Sequence, residues 1–252
     1  MKLGLNPAIL ARCAALLCGC TALHALAEPL WVGRFLPEKG GIPAPWQLQR
    51  LDDKVPPTRY RLREWDGVHA VEAHAVNSMA LLARPLQVDL EKSPVLCWRW
   101  RIDAPLQSAD MTRKSGDDYA ARVYLSFDVP ADTLGLGTRM ALGMARALHG
   151  EQVPDAAVNY IWDNRHAVGT WQPNAYTDRA RMLVLRSGGA EAGRWVDERR
   201  DVAADFQRAF GHAPARLTGL AIASDTDNTG EEARAGFADF RFVERDAACP
   251  PT

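Results

Sequence analysis

Apolar and polar residues alternate along much of this chain. In "PVLCWRWRID" (94–103) Leu96, Trp98, Trp100 and Ile102 share one face, while Cys97, Arg99, Arg101 and Asp103 share the other. "ARVYLSFDV" (121–129) repeats the pattern, with Val123, Leu125, Phe127 and Val129 opposite Arg122, Tyr124 and Ser126. Successive side chains of a strand point to opposite faces, so a period of two predicts strands with one face in a core. "TRYRLREW", "VHAVEAHAV", "NYIWD", "RARMLVLRS", "ARLTGLAIAS" and "FADFRFVE" predict further strands. Short strands separated by turn residues indicate an all-β chain, an antiparallel β-sandwich or jelly roll. Two stretches break the pattern and predict accessory helices. Thr138–Leu148 carries no β-branched residue after Thr138 and stops near Gly150, with Pro154 beyond. Val202–Phe210 places Val202, Phe206, Ala209 and Phe210 on one side, and Gly211 supplies a C-cap. Both helices are expected on a sheet edge or over one end of the sandwich.

The first 27 residues read differently. Lys2 and Arg12 precede an uncharged, mostly apolar run from Cys13 to Leu23, and Ala25-Leu26-Ala27 fits a small-x-small cleavage site. This predicts a signal peptide over residues 1–27 and a periplasmic or secreted single domain over 28–252. A competing cut places Cys20, in Leu17-Cys18-Gly19-Cys20, as a lipid anchor. Cleavage after Ala27 removes three of the five cysteines and leaves Cys97 and Cys249. In an oxidising compartment these two suggest a disulfide; a buried Cys97 with Cys249 in a loose tail is the alternative. The leader takes two positive charges and no acid from a chain whose formal charge is −1. Nothing in that balance favours nucleic acid. No later apolar run reaches the ~20 residues of a membrane helix, so no integral membrane segment is expected after cleavage.

All eight tryptophans fall after the leader. Aromatic faces stack on sugars, but large aromatics also fill sandwich cores, and the core reading is expected for at least half of them. Four polar clusters carry candidate chemistry. Asp117 and Asp118 in "SGDDYA" precede a strand, where neighbouring side chains diverge. Trp162, Asp163, Asn164 and Arg165 in "NYIWDNRH" offer an aromatic, an acid, an amide and a cation at a strand end, as a glycan or carboxylate site would. Asp178 and Arg179 follow a Pro173-Asn174 turn. Each also fits ordinary turn or ion-pair chemistry. The fourth cluster, Asp225-Thr226-Asp227-Asn228-Thr229-Gly230, resembles the start of a calcium loop. It fails the EF-hand pattern, because position five is Thr229, position twelve is Gly236 and the flanks read as strands. Asp225 and Asp227 remain candidate calcium ligands, beside the reading of a simple turn. There is no G-x-S-x-G, H-E-x-x-H or P-loop, and no C-x-x-C after the leader.

Taken together, "LCWRWRID", "GDDYAARVYLSFDVP", "VNYIWDNRHAVGT", "NAYTDRARMLVLRSG", "GRWVDERRDVAADFQRAFG" and "LTGLAIASDTDNTGEEARAGFADFRF" resemble an exported bacterial family, domain of unknown function 3047. The resemblance runs from about Phe35 to Val243. It implies an exported single-domain protein and, more distantly, a jelly-roll carbohydrate-binding fold; it implies no catalytic residue. The sequence therefore supports a non-catalytic binder of a glycan or cell-envelope ligand. The alternatives are a glycan-active enzyme using paired carboxylates from Asp117, Asp118, Asp163, Asp178, Asp225 and Asp227, and a structural or assembly protein of the envelope.

Overall fold

The alternating stretches become strands, and the strands stack as two sheets. The computed structural model describes residues 28–37, 41–149, 153–214 and 216–249; the expected leader, with Cys20, lies outside the described residues. The chain begins with β1 (Leu30–Gly33), β2 (Gln47–Gln49), β3 (Arg59–Trp65), β4 (Val68–Val76) and β5 (Leu81–Pro85). There follow β6 (Val95–Ile102), β7 (Tyr119–Asp128), helix α1 (Leu136–His149), β8 (Ala156–Asp163) and β9 (Trp171–Pro173). It ends with β10 (Ala180–Ser187), β11 (Val196–Asp201), helix α2 (Val202–Phe210), β12 (Arg216–Asp225) and β13 (Glu232–Val243). One sheet has the order β11-β6-β13-β4-β3, with β1 also on β13; the other has the order β2-β5-β12-β7-β8-β10-β9.

The core lies where the inner faces meet. Leu96, Trp98, Trp100 and Ile102 of β6 share one buried cluster with Val123, Leu125 and Phe127 of β7 and Val158, Tyr160 and Trp162 of β8. Trp98 stacks between Tyr160 (5.4 Å between centroids) and Phe240 (6.2 Å), and Trp100 meets Trp162 at 5.7 Å. The polar ends of two rings are satisfied: Trp100 Nε1 donates to Glu198 Oε1 and Trp162 Nε1 donates to the Gly188 carbonyl. Trp46, Trp98, Trp100 and Trp162 belong to this cluster, so the core reading holds for half of the eight tryptophans; Trp65 is buried on the outer face of the six-stranded sheet, against Trp195.

Strand β13 shows how one residue re-phases a strand. Ala233, Ala235 and Phe237 face the core, and so do Phe240 and Phe242, which have the opposite parity. The pairing with β6 slips between Ala238 and Arg241, and Asp239 sits there at φ +59°. A bulge residue in the left-handed region absorbs the extra position. Asp239 is held by the Arg99 guanidinium. The outward face of β6 is thus occupied too. Cys97 is buried in a disulfide with Cys249, and the Arg101 guanidinium lies 4.1 Å from the Trp65 ring.

One pairing departs from the antiparallel expectation: β10 runs parallel to β8. Residues 164–179 carry the chain back to the end where β8 began, adding β9 at the edge on the way, and a parallel neighbour requires such a return. Helix α2 matches its expected span. Asp201 Oδ1 accepts from the Ala204 amide, and Gly211 closes the helix at φ +81°. Phe206 then packs on Phe127 at 4.6 Å, over one end of the sandwich. Helix α1 starts two residues earlier than expected and exposes Leu136, Met140 and Met144. Arg146 ties it to the body through the Val153 carbonyl and Asp155.

Candidate ligand-binding groove

Strand β7 points Val123, Leu125 and Phe127 into the core, so Arg122, Tyr124, Ser126 and Asp128 must face outward. Across the sheet Tyr124 pairs with Ala221, and Ala221 with Ala83. Two small residues beside one tyrosine leave a trough on the outer face. A Cβ on Gly219 would lie 2.6 Å from Ser126 Oγ, so a glycine keeps that part of the floor low. The resulting groove measures about 1250 Å³. Gln47 to Asp52 form one rim, and Asn174, Tyr176 and Thr177 the other. Arg146, Val153 and Pro154 line one end; Asp117, Asp225, Asp227 and Asn228 line the acidic end. Beyond the second rim the outer face is roofed, with Met111 packed on Tyr119, Ile161, Met182 and Val184.

The acidic end is built from three segments, residues 117–124, 174–176 and 225–230. Asp117 accepts from the Tyr119 hydroxyl (3.0 Å) and from the Asn174 amide at 3.0 and 2.9 Å. Asp118 diverges from it, as neighbouring residues should, and accepts from the Asn228 amide, the Thr229 amide and the Thr229 hydroxyl through Oδ2. Asp118 thereby fixes the turn that follows β12. That turn is no hairpin within one sheet: β12 belongs to the seven-stranded sheet and β13 to the other, so the turn arches between the layers. Gly230 at φ +73° and its amide bond to the Thr226 carbonyl (2.8 Å) close the arch.

Arg122 lies at the centre. Its Nη1 donates to Asp225 Oδ2 at 2.7 Å, and both side chains are only 3% exposed. The guanidinium lies 4.7 Å from the Tyr119 ring and 4.3 Å from the Tyr124 ring. The surrounding carboxylates keep it charged. Burial pushes the Asp225 carboxyl well above the usual carboxylate range; Arg122 opposes this, and Asp118, Asp117 and Asp227 add to it. Burial and Asp118 push Asp227 up as well. Burial and like charge thus act in the same direction on Asp225 and Asp227. Among the described residues, Asp225 Oδ1, Asp227 Oδ1 and Arg122 Nε have no hydrogen-bond partner.

The other residues singled out from sequence lie elsewhere. Trp162 is in the core, where its ring has no open face. Asp163 Oδ1 accepts the amides of Arg165 and His166, both at 2.6 Å, and so shapes its own loop. Asn164 donates to the Gln107 and Ala109 carbonyls, and Arg165 pairs with Asp110 at 3.6 Å. Arg179 donates to the Asp155 carbonyl, and Asp178 is exposed outside the groove lining. Arg122, Tyr124, Asn174, Tyr176 and Asn228 complete the groove. The period-two pattern already put Arg122 and Tyr124 on one face, but could not say that the face bordered a groove. As for calcium, Arg122 already occupies Asp225 Oδ2. Among the described residues no group of three or more His, Cys, Asp or Glu side chains is placed to hold a metal ion.

A two-sheet β-sandwich with a polar groove across its seven-stranded sheet is the class defined by this fold and site. Residues 44–241 match the family described as "Protein of unknown function (DUF3047)", and the chain belongs to that family. Comparison with curated proteins gives no match. Among solved structures the chain is similar to the xyloglucanase domain of NopAA, a type three effector from Sinorhizobium fredii in complex with cellobiose. The identity is 9%, the match covers 83% of this chain and 100% of that one, and the TM-score is 0.36.

Proposed function

We propose that this protein is an exported, non-catalytic binder of a glycan or cell-envelope saccharide, with its site in the groove of the seven-stranded sheet. The observation that carries the reading is the convergence of Asp117, Arg122, Tyr124, Asn174, Tyr176, Asp225 and Asp227 on one trough. Sugars present hydroxyls to planar polar groups and C–H faces to aromatic rings, and the trough supplies both. The Cys97–Cys249 disulfide is in keeping with an oxidising compartment and so supports export of a single domain spanning 28–252. Among the described residues no helix is long and apolar enough to cross a membrane.

No tryptophan lines the groove, so calorimetry is the suitable probe. Titration with neutral and charged envelope oligosaccharides should give saturable heat that Tyr176→Ala abolishes. Tyr176 is 57% exposed at the rim, and the variant should keep its fold. A broad panel without saturable heat, or binding indifferent to Tyr176, would refute the reading.

The raised carboxyl of Asp227 supports a second reading, a glycan-active enzyme. A half-buried acid raised by burial and by the neighbouring Asp118 is shifted in the direction a general acid needs. Release of reducing ends, lost in Asp227→Asn, would establish it; binding without any release would dismiss it.

A further inference from the structure

Resting on the glycan-binding reading, we infer that the acidic end of the groove is a subsite for a protonated amine, and that the ligand is an amino sugar polymer with free ammonium groups. Three carboxylates line that end, Asp117, Asp225 and Asp227, with Asp118 behind them on the arch, and the only guanidinium among the groove residues at that end is Arg122, already engaged by Asp225. The Asp225 side chain is buried and lines the groove, yet its Oδ1 has no partner. Asp227, half-buried beside it, also has a free Oδ1. Asp117 is different: both of its oxygens are already used by the Asn174 amide. Against these two acceptors stands one donor without a partner, Arg122 Nε, so the net demand at this end is for donors and for positive charge. An ammonium supplies three donors and one charge on a small centre, whereas a sugar hydroxyl supplies one donor and none of the charge.

Arg122 also tells against a bare metal ion, because the cation that would hold Asp225 Oδ2 is already covalently part of the chain. The neighbouring surface suits a sugar ring attached to that amine. Tyr176 stands at the rim with its hydroxyl on Asn228 Oδ1 at 3.1 Å, and Tyr124 lies on the floor against Ala221 and Ala83. The Tyr124 ring is 4.3 Å from the guanidinium that holds Asp225, so a sugar ring resting on Tyr124 would bring its 2-amino group toward the acidic end. An N-acetyl group in that place would remove the charge and put a methyl against carboxylates.

Calorimetry with glucosamine oligomers, the N-acetylated oligomers of the same length, cello-oligomers and a lysine-rich peptide tests the inference on the full chain. The glucosamine oligomer should bind on the order of ten- to a hundredfold more tightly than its acetylated or neutral counterparts, the span of one charged hydrogen-bond set. The advantage should shrink in high salt and should fall by a similar factor in Asp227→Asn. Docking of the amine should also release a proton from the acidic end, read as a dependence of the heat on buffer ionisation. Tyr176-dependent binding with equal affinity for all three oligomers would overturn the amine subsite and leave the glycan reading standing. Absence of binding by every oligomer would overturn both. Binding of the peptide as tight as that of the glucosamine oligomer would overturn the assignment to a sugar.

Discussion

The Arg122–Asp225 pair offers the sharpest test of how this site is held together. Both side chains are 3% exposed, and the aromatic faces of Tyr119 and Tyr124 flank the guanidinium. Arg122→Met keeps much of the packing volume and removes the charge. Asp225 is then left buried beside Asp117, Asp118 and Asp227 with no cation at hand. Breaking one half of a buried pair typically costs ~3–5 kcal/mol. At ~2–4 °C per kcal/mol for a domain of this size, Tm should fall by roughly 6–20 °C. Asp225→Asn should cost less, on the order of 1.5–3 kcal/mol for a lost charged hydrogen bond, because Arg122 keeps the other acids as company. The pH dependence follows from the same geometry. Without Arg122, Asp225 escapes its unpaired charge only by holding a proton, so its folded pKa rises further above the unfolded value of about 3.9. Between that value and the raised one the folded state binds the extra proton, and stability falls as pH increases. The deficit of Arg122→Met against wild type, measured by calorimetry or urea unfolding, should therefore be larger at pH 8 than at pH 5. A deficit below ~1 kcal/mol at pH 8, an equal deficit at both pH values, or a costlier Asp225→Asn would refute the account.

Other expectations concern the frame around the site. Gly236→Ala places a Cβ 2.7 Å from Trp195 Cη2 and 3.0 Å from Arg101 Cγ; urea unfolding should show a loss of ~1–3 kcal/mol, and an unchanged midpoint would refute the crowding argument. The Cys97–Cys249 link joins residues 152 apart in sequence. Cys249→Ser should cost ~2–5 kcal/mol, and reductant should lower the Tm of wild type while leaving the variant unmoved. Because Arg122 already holds Asp225, chelator and added calcium should both leave Tm unchanged; a rise with calcium would reopen a metal role for Asp227 and Asp225.

Local pattern revealed the elements it controls. Strands β6 and β7 alternate cleanly because one face of each meets the opposite sheet, and α2 is bounded by a side-chain cap and a left-handed glycine. What escaped depends on distant partners. β11 reads VDERRD, with nothing apolar beyond its first residue, and is a strand because β6 pairs with it. The three-residue β2 and β9 are too short to show a period. At the site, Asp117, Asp225 and Asp227 stood out as acids in turns. Arg122 and Tyr124 looked like the solvent side of a strand, because alternation assigns faces but not what borders them. Trp162 misled in the other direction: a tryptophan beside Asp-Asn-Arg suggests a sugar platform, yet its parity places it inward with Tyr160 and Val158.

The strands that end each sheet share a property that bears on how copies of the chain meet one another. On the six-stranded sheet the outer members are β3, with Arg59, Arg61, Arg63 and Glu64, and β11, with Asp197, Glu198, Arg199, Arg200 and Asp201. On the seven-stranded sheet they are β2 and β9, each three residues long, the latter ending in Pro173. An open strand is a template for another molecule's backbone, and charge, brevity and proline each spoil it. The same arginines and acids that obscured β11 in the sequence are what keep two copies of this sandwich from zipping together along their margins.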